Sequence, residues 1–135
     1  LSAALALRAA VRNRLADDAA LSELLGGAKI YDEVPAGTEV PYVVMTDIES
    51  REAGDATDDG QEHRFTLNIW SQEAGMGQAL SAANQVVNSL EGGNFLVEGH
   101  HLTNLRWLAT EARRASDGRH RMAQLRFRAV TEPGA

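Results

Sequence analysis

The sequence predicts an α+β domain, an antiparallel β-sheet with two main helices packed on one face. Three observations lead there. Residues 3–16 and 74–90 carry apolar residues at helical spacing, whereas "HRFTLNIW" (63–70) alternates with the period of a half-buried strand. Asp117–Gly118 sits between two strand-like runs and marks a hairpin. The chain has 135 residues and no linker, repeat or low-complexity segment, so residues 1–135 form one domain.

Ser2 caps a first helix to about residue 16, with Ala4, Leu7, Val11 and Leu15 drawing one stripe. Asp17 or Asp18 opens a short second helix, "AALSELL", which Gly26 and Gly27 end. "KIYDEV" reads as a strand, "PAGTEVP" as a loop and "YVVMTDIES" as a second strand. A polar loop, "REAGDATDDG", leads into 63–70. There Phe65, Leu67 and Ile69 take one face and Arg64, Thr66, Asn68 and Trp70 the other. The next helix places Met76, Leu80, Ala83, Val87 and Leu90 on one side, with Ser71 as a weak cap. "NFLVEGHHL" gives two short β pieces around Glu98–Gly99. The expected core joins Leu67, Ile69, Leu108, Leu125 and Phe127 to Leu7, Val11, Leu80 and Val87.

If Asp117 and Gly118 are the centre of a two-residue type I′ turn, cross-strand partners sum to 235. Leu108 then faces Phe127, Thr110 faces Leu125 and Ala112 faces Ala123 on an apolar side. On the other side Trp107 meets Arg128 as a cation–π pair, and Arg126 lies diagonal to Glu111. The same register sets Arg114 opposite Arg121, an arrangement that like-charge repulsion disfavours unless an acidic partner relieves it.

Charge is polarised. Residues 32–62 hold ten acids against Arg51, a net of −9, and residues 100–135 hold seven arginines against three acids, a net of +4. Lys29 is the sole lysine, and arginine's planar fork suits bidentate carboxylate pairing. The candidate protein-contact residues are therefore Arg113, Arg114, Arg119, Arg121, Arg126 and Arg128, opposed by Asp55, Asp58 and Asp59. An overall charge of −6 argues against a sequence-reading DNA binder. The rival reading is a small nucleic-acid module built on the same six arginines.

Other constellations point nowhere specific. "DATDDG" imitates the front of a calcium loop, but Thr66 stands where a bidentate glutamate is needed. Asp47, Glu49 and Glu52 lack the lysine of a metal-dependent nuclease. Adjacent His100 and His101 point to opposite strand faces. Cysteine is absent, which rules out disulfides and thiolate metal sites. No apolar run is long enough for a membrane helix, and Arg8, Arg12 and Arg14 lie inside the apolar N-terminus, unlike a signal peptide. No catalytic residue, cofactor or metal is expected.

The ordered phrases "GGAKIYDEVPAGTEVPYVVM", "DGQEHRFTLNIWSQEAG" and "GHHLTNLRWLATEARRASDGRHRMAQLRFRAVTE" resemble the tail-terminator or tail-completion family of long-tailed phages and gene-transfer particles. The resemblance implies a non-enzymatic, homo-oligomeric ring, usually a hexamer, at the head–tail junction of a virion. Its partners would be further copies of itself, the tail tube protein and a head-side connector or stopper. DNA would pass through the lumen without specific binding. A head-closure subunit of the same particle is the alternative. The opposite charges of 32–62 and 100–135 suit a head-to-tail contact, which can close into a ring.

Overall fold

A computed structural model describes residues 2–53, 60–72 and 76–134. The elements run α1 (Ala3–Ala16), α2 (Ala19–Leu25), β1 (Ile30–Tyr31), β2 (Tyr42–Glu52), β3 (Gln61–Ser71), α3 (Gly77–Leu90), β4 (His100–Arg114) and β5 (Arg121–Pro133). The strands form one sheet in the order β1-β2-β3-β5-β4, antiparallel except where β1 joins β2. The α+β class is as the sequence predicts, with three helices rather than two contributing to one core.

Local chemistry accounts for the helix starts. Ser2 Oγ accepts from the Leu5 N–H at 3.2 Å, and Asp18 Oδ1 accepts from the Leu21 N–H at 2.9 Å. Asp18 also accepts from the Gln85 side-chain amide at 2.9 Å, which ties α2 to α3. Burial opposes the charge on Asp18, yet hydrogen bonds from Leu21, Gln85, Ser89 and Ala20 hold its carboxyl below the ordinary value. Gly26 ends α2 in the left-handed region, at φ 78°.

One sheet face presents Phe65, Leu67, Ile69, Ala123, Leu125 and Phe127, all buried, to Leu7, Val11 and Leu15 of α1 and Ala79, Ala82, Ala83, Val86 and Leu90 of α3. Six of the nine core residues expected from sequence are fully buried, and Val87 packs against the core in part. Leu80 and Leu108 are not core: they are 44% and 41% exposed. Leu80 misses because α3 is rotated. It rests on a flank of small residues, Ala79, Ala82 and Ala83, that lets the helix approach the sheet closely, so the stripe counted from Met76 is displaced. Ser71 is no cap either; it lies in β3, and its hydroxyl donates to Gln78 Oε1 in the first turn of α3.

Leu108 misses because of a bulge. The sum-of-235 register holds from Arg114↔Arg121 through Ala109↔Arg126, then shifts between Trp107 and Ala109. Trp107 therefore faces Phe127, and Leu108 is left unpaired, beside Thr66 and Arg126. The expected Trp107–Arg128 contact does not form; the indole N–H donates to Thr110 Oγ1 at 2.9 Å instead.

The turn also differs from the type I′ expectation. Among the described residues no non-glycine has positive φ, so Asp117 cannot fill a type I′ position. The Ala115 N–H donates to His120 O at 2.8 Å, closing a four-residue loop with Gly118 at φ 76°. Asp117 Oδ1 accepts from the N–H groups of Arg119 and His120 at 2.9 and 3.0 Å. Removing a closing pair keeps the partner sum, so the expected register holds from Ala109 to Arg114 despite the different turn.

Three further readings are corrected. "KIYDEV" contributes only Ile30–Tyr31, parallel to β2 at Val43 and Val44. The second face of β3 is less exposed than simple alternation implies, with Thr66 and Asn68 also buried. Of the two β pieces around Glu98–Gly99, the first is a single bridge, Val97↔His100.

His63 is fully buried between two hydroxyls, Ser50 Oγ at 2.6 Å from Nδ1 and Thr131 Oγ1 at 2.8 Å from Nε2. Burial, and then the nearby His100 charge, push its imidazole below the ordinary value. The unfolded chain therefore binds a proton more readily than the folded one. The stabilisation is complete above about pH 6.5 and is lost as pH falls below it. The thermal midpoint should drop between pH 7 and 5, and His63→Gln should flatten that part of the profile. An unchanged slope in the variant would show that other groups carry it.

Candidate functional site

The strand registers put the Glu52–Gln61 pair and the Arg114–Arg121 pair at opposite ends of the sheet, but the acidic region 32–62 reaches both ends, since Glu39 lines a depression with Tyr42 and His120 beside the hairpin tip. At one end Glu52, Gln61, Thr131 and Leu102 lie side by side; at the other Ser71, Arg121 and Arg114 do. Glu52, Ala53 and Gly60 flank residues 54–59 at the first end, and the second carries the arginine-rich hairpin tip. Asp55, Asp58 and Asp59, together with the calcium-like positions 55, 57 and 59, lie outside the described residues.

The six arginines do not share one surface. Arg114 and Arg121 are direct neighbours across β4 and β5, as expected, and neither has an ion pair among the described residues. They lie on the helix-bearing side of the sheet, in phase with Ala112, Ala123 and Leu125. Arg113, Arg126 and Arg128 lie on the opposite side. Arg113 pairs with Glu111 rather than leaving Glu111 to Arg126, and Arg126 donates to Gln124 Oε1 at 3.1 Å. Arg128 is held by Glu62 at 2.8 Å, and Arg64 approaches the same carboxylate at 3.2 Å. These arginines keep the Glu62 carboxyl below its ordinary value. Arg119 sits in the turn, where its N–H meets Asp117.

Such a split weakens the nucleic-acid reading. A phosphate-binding footprint needs cations converging on one groove, whereas here two are committed to carboxylates and the rest divide between two faces. Nor do Asp47, Glu49 and Glu52 converge: Asp47 and Glu49 share the face of Thr66 and Arg64, and Glu52 turns to the other. Among the described residues no cluster of three or more His, Asp or Glu is spaced to hold a metal. No helix there is long and apolar enough to cross a membrane.

Sequence reasoning missed two features. One is the exposed apolar groove between α3 and β4, lined by Leu80, Ala83, Asn84, Val87, Trp107 and Thr110. Its signal was the displaced stripe of α3. The other is the partial capping of β4, an edge strand. Glu91 Oε2 accepts from the Trp107 N–H at 2.8 Å, and the Gly92 N–H donates to Leu105 O at 3.1 Å.

A solved chain from a structure titled "Virion of native gene transfer agent (GTA) particle" superposes with a TM-score of 0.88 at 34% sequence identity, over 97% of this chain and 98% of that one. No curated protein sequence matches. The family model described as "Tail completion protein gp17" matches residues 9–132, and the chain belongs to that family of tail completion proteins.

Proposed function

We propose that this chain is a non-enzymatic structural subunit of a virion or phage-like particle. It forms a homo-oligomeric ring, a hexamer, that ends the tail tube, joins it to the head-side connector and lets DNA pass. Family membership and the likeness to a gene transfer agent component support the particle. The observation that carries the ring is the Arg114–Arg121 pair, side by side at the hairpin end of the sheet with no ion pair among the described residues, while Glu49 and Glu52 lie toward the other end of β2. A subunit with complementary, unlike ends associates head to tail rather than by a self-complementary patch.

Imaging of the purified chain by negative stain should show rings with a central hole; compact monomers at every concentration would overturn the reading. The double variant Arg114→Gln/Arg121→Gln should keep its circular dichroism spectrum and gain a slightly higher monomer midpoint, because a like-charge pair is removed. It should form fewer rings. Assembly equal to the parent's would make the tip a solvated loop and assign closure to other contacts.

A further inference from the structure

The sheet has two unprotected backbone edges that match each other. Antiparallel ladders alternate residues that bond to the partner strand with residues whose N–H and C=O point away from it. The Ala115–His120 bond fixes this phase on β4: Ala109, Glu111 and Arg113 bond to β5, and Thr110, Ala112 and Arg114 point outward. The Ala53 N–H to Gly60 O bond at 3.0 Å fixes it on β2: Asp47, Glu49 and Arg51 bond to β3, and Ile48, Ser50 and Glu52 point outward. Among the described residues, β1 covers β2 only at Val43 and Val44, and the turn after α3 caps β4 only at Leu105 and Trp107. Open edges of this kind are templates for another strand.

We propose that these edges bind each other between copies of this chain, with residues 109–114 of one copy antiparallel to residues 48–53 of the next. The inference rests on the ring reading and names its interface. Direction is already suitable: three antiparallel steps separate β2 from β4, so copies related by rotation present them antiparallel.

Charge selects one register. Setting Ala112 opposite Ser50 pairs the outward residues as Thr110–Glu52, Ala112–Ser50 and Arg114–Ile48. The intervening pairs are then Arg113 opposite Glu49 and Glu111 opposite Arg51, both of unlike charge. A shift of two residues one way sets Glu111 against Glu49, and the other way Arg113 against Arg51, which is unfavourable. A shift of one residue would exchange the faces. In a single copy these four side chains satisfy each other two residues apart, Arg51–Glu49 at 2.6 Å and Arg113 with Glu111, and all are more than half exposed. They can exchange partners across the junction without leaving water first. Within a copy Glu49 is level with Arg106, through Arg64 and Arg128. On β5, Arg106 is level with Arg128 and Arg113 with Met122, so meeting Arg113 offsets each copy by six ladder positions, about 20 Å at ~3.3 Å per residue. The strands would therefore incline to the ring axis, as shear inclines them in a closed barrel.

The chain has no cysteine, so an engineered pair reports cleanly. Ser50 and Ala112 lie on strands three spacings apart, about 14 Å, too far for a disulfide within one copy. Oxidised Ser50→Cys/Ala112→Cys should run as a ladder of covalent multimers that collapses on reduction. The displaced pair Glu52→Cys/Ala112→Cys should cross-link far less. Independently, Glu49→Arg or Arg113→Glu alone should raise the concentration of half-assembly about tenfold, or ~1.4 kcal/mol, and the two together should restore it. If the parent assembles while the ladder is absent and the reversals change nothing, the edge pairing is overturned and the ring reading stands. A parent that is monomeric at every concentration removes both.

Discussion

Replacing Phe127 with alanine is expected to cost about 3–5 kcal/mol of folding stability. Its side chain is fully buried and its ring stacks on Phe65 with centroids 5.3 Å apart and planes 15° from parallel. Phe65 and Phe127 are also direct partners across β3 and β5, and Trp107 faces Phe127 from β4. Three strands thus meet at one aromatic position in a protein poor in aromatics, 5% of residues. Alanine would remove the transfer energy of the ring and leave a cavity the rigid central strands cannot close. Against a typical total of ~5–15 kcal/mol, the loss takes up a large fraction. Urea unfolding should show the midpoint falling with little change in slope. A loss below about 1 kcal/mol would mean that the sheet repacks around the gap. The edge variants proposed above lie on the surface and should leave this midpoint nearly unchanged, which separates folding from assembly.

Much of the fold was legible because its signals are local. Ser2 and Asp18 cap α1 and α2 through their own side chains, and Gly26 takes the left-handed position that ends α2. The alternation of Phe65, Leu67 and Ile69 needs no knowledge of what lies above them. Next to the turn, from Ala109 to Arg114, the hairpin register holds with a different turn type because both turns close on the same partner sum. What failed depends on tertiary contact. Leu108 is pushed out by a bulge that no residue type announces, and Leu80 by the close seat that Ala79, Ala82 and Ala83 give α3.

The candidate site was legible in composition but not in placement. The sequence shows that the arginines are clustered; only the pleat shows that Arg114 and Arg121 belong to one face and Arg113, Arg126 and Arg128 to the other. Glu62 could not be identified as the partner of Arg128, which lies 66 residues away. Nor could the free edges be seen, because an edge is defined by the strand that is not beside it. Once the strand order is known, however, the charges of 49, 51, 111 and 113 can be read as a register.

Gly93→Ala should also be strongly damaging, at about 2–5 kcal/mol, and it tests how the edge strand is held. Gly93 has φ +66°, where an L-residue costs roughly 1–2 kcal/mol. An added Cβ would also lie 3.0 Å from Leu102 Cδ2, 3.2 Å from Leu102 Cγ and 3.3 Å from Leu105 Cβ. Crowding of that kind adds about 1–3 kcal/mol when the neighbours are packed. Gly92→Ala is the control: φ is +88°, but the nearest atom outside its neighbours is Asn94 Nδ2 at 3.7 Å, so it should carry the backbone cost alone. The difference between the two isolates the pressure on Leu105, whose carbonyl accepts the Gly92 N–H and whose strand is capped by Glu91 two residues on. Displacing Leu105 should loosen that cap, so the Trp107 amide should exchange faster in Gly93→Ala than in Gly92→Ala. Equal stability and equal exchange in both variants would show that the turn after α3 yields freely and does not position the edge strand.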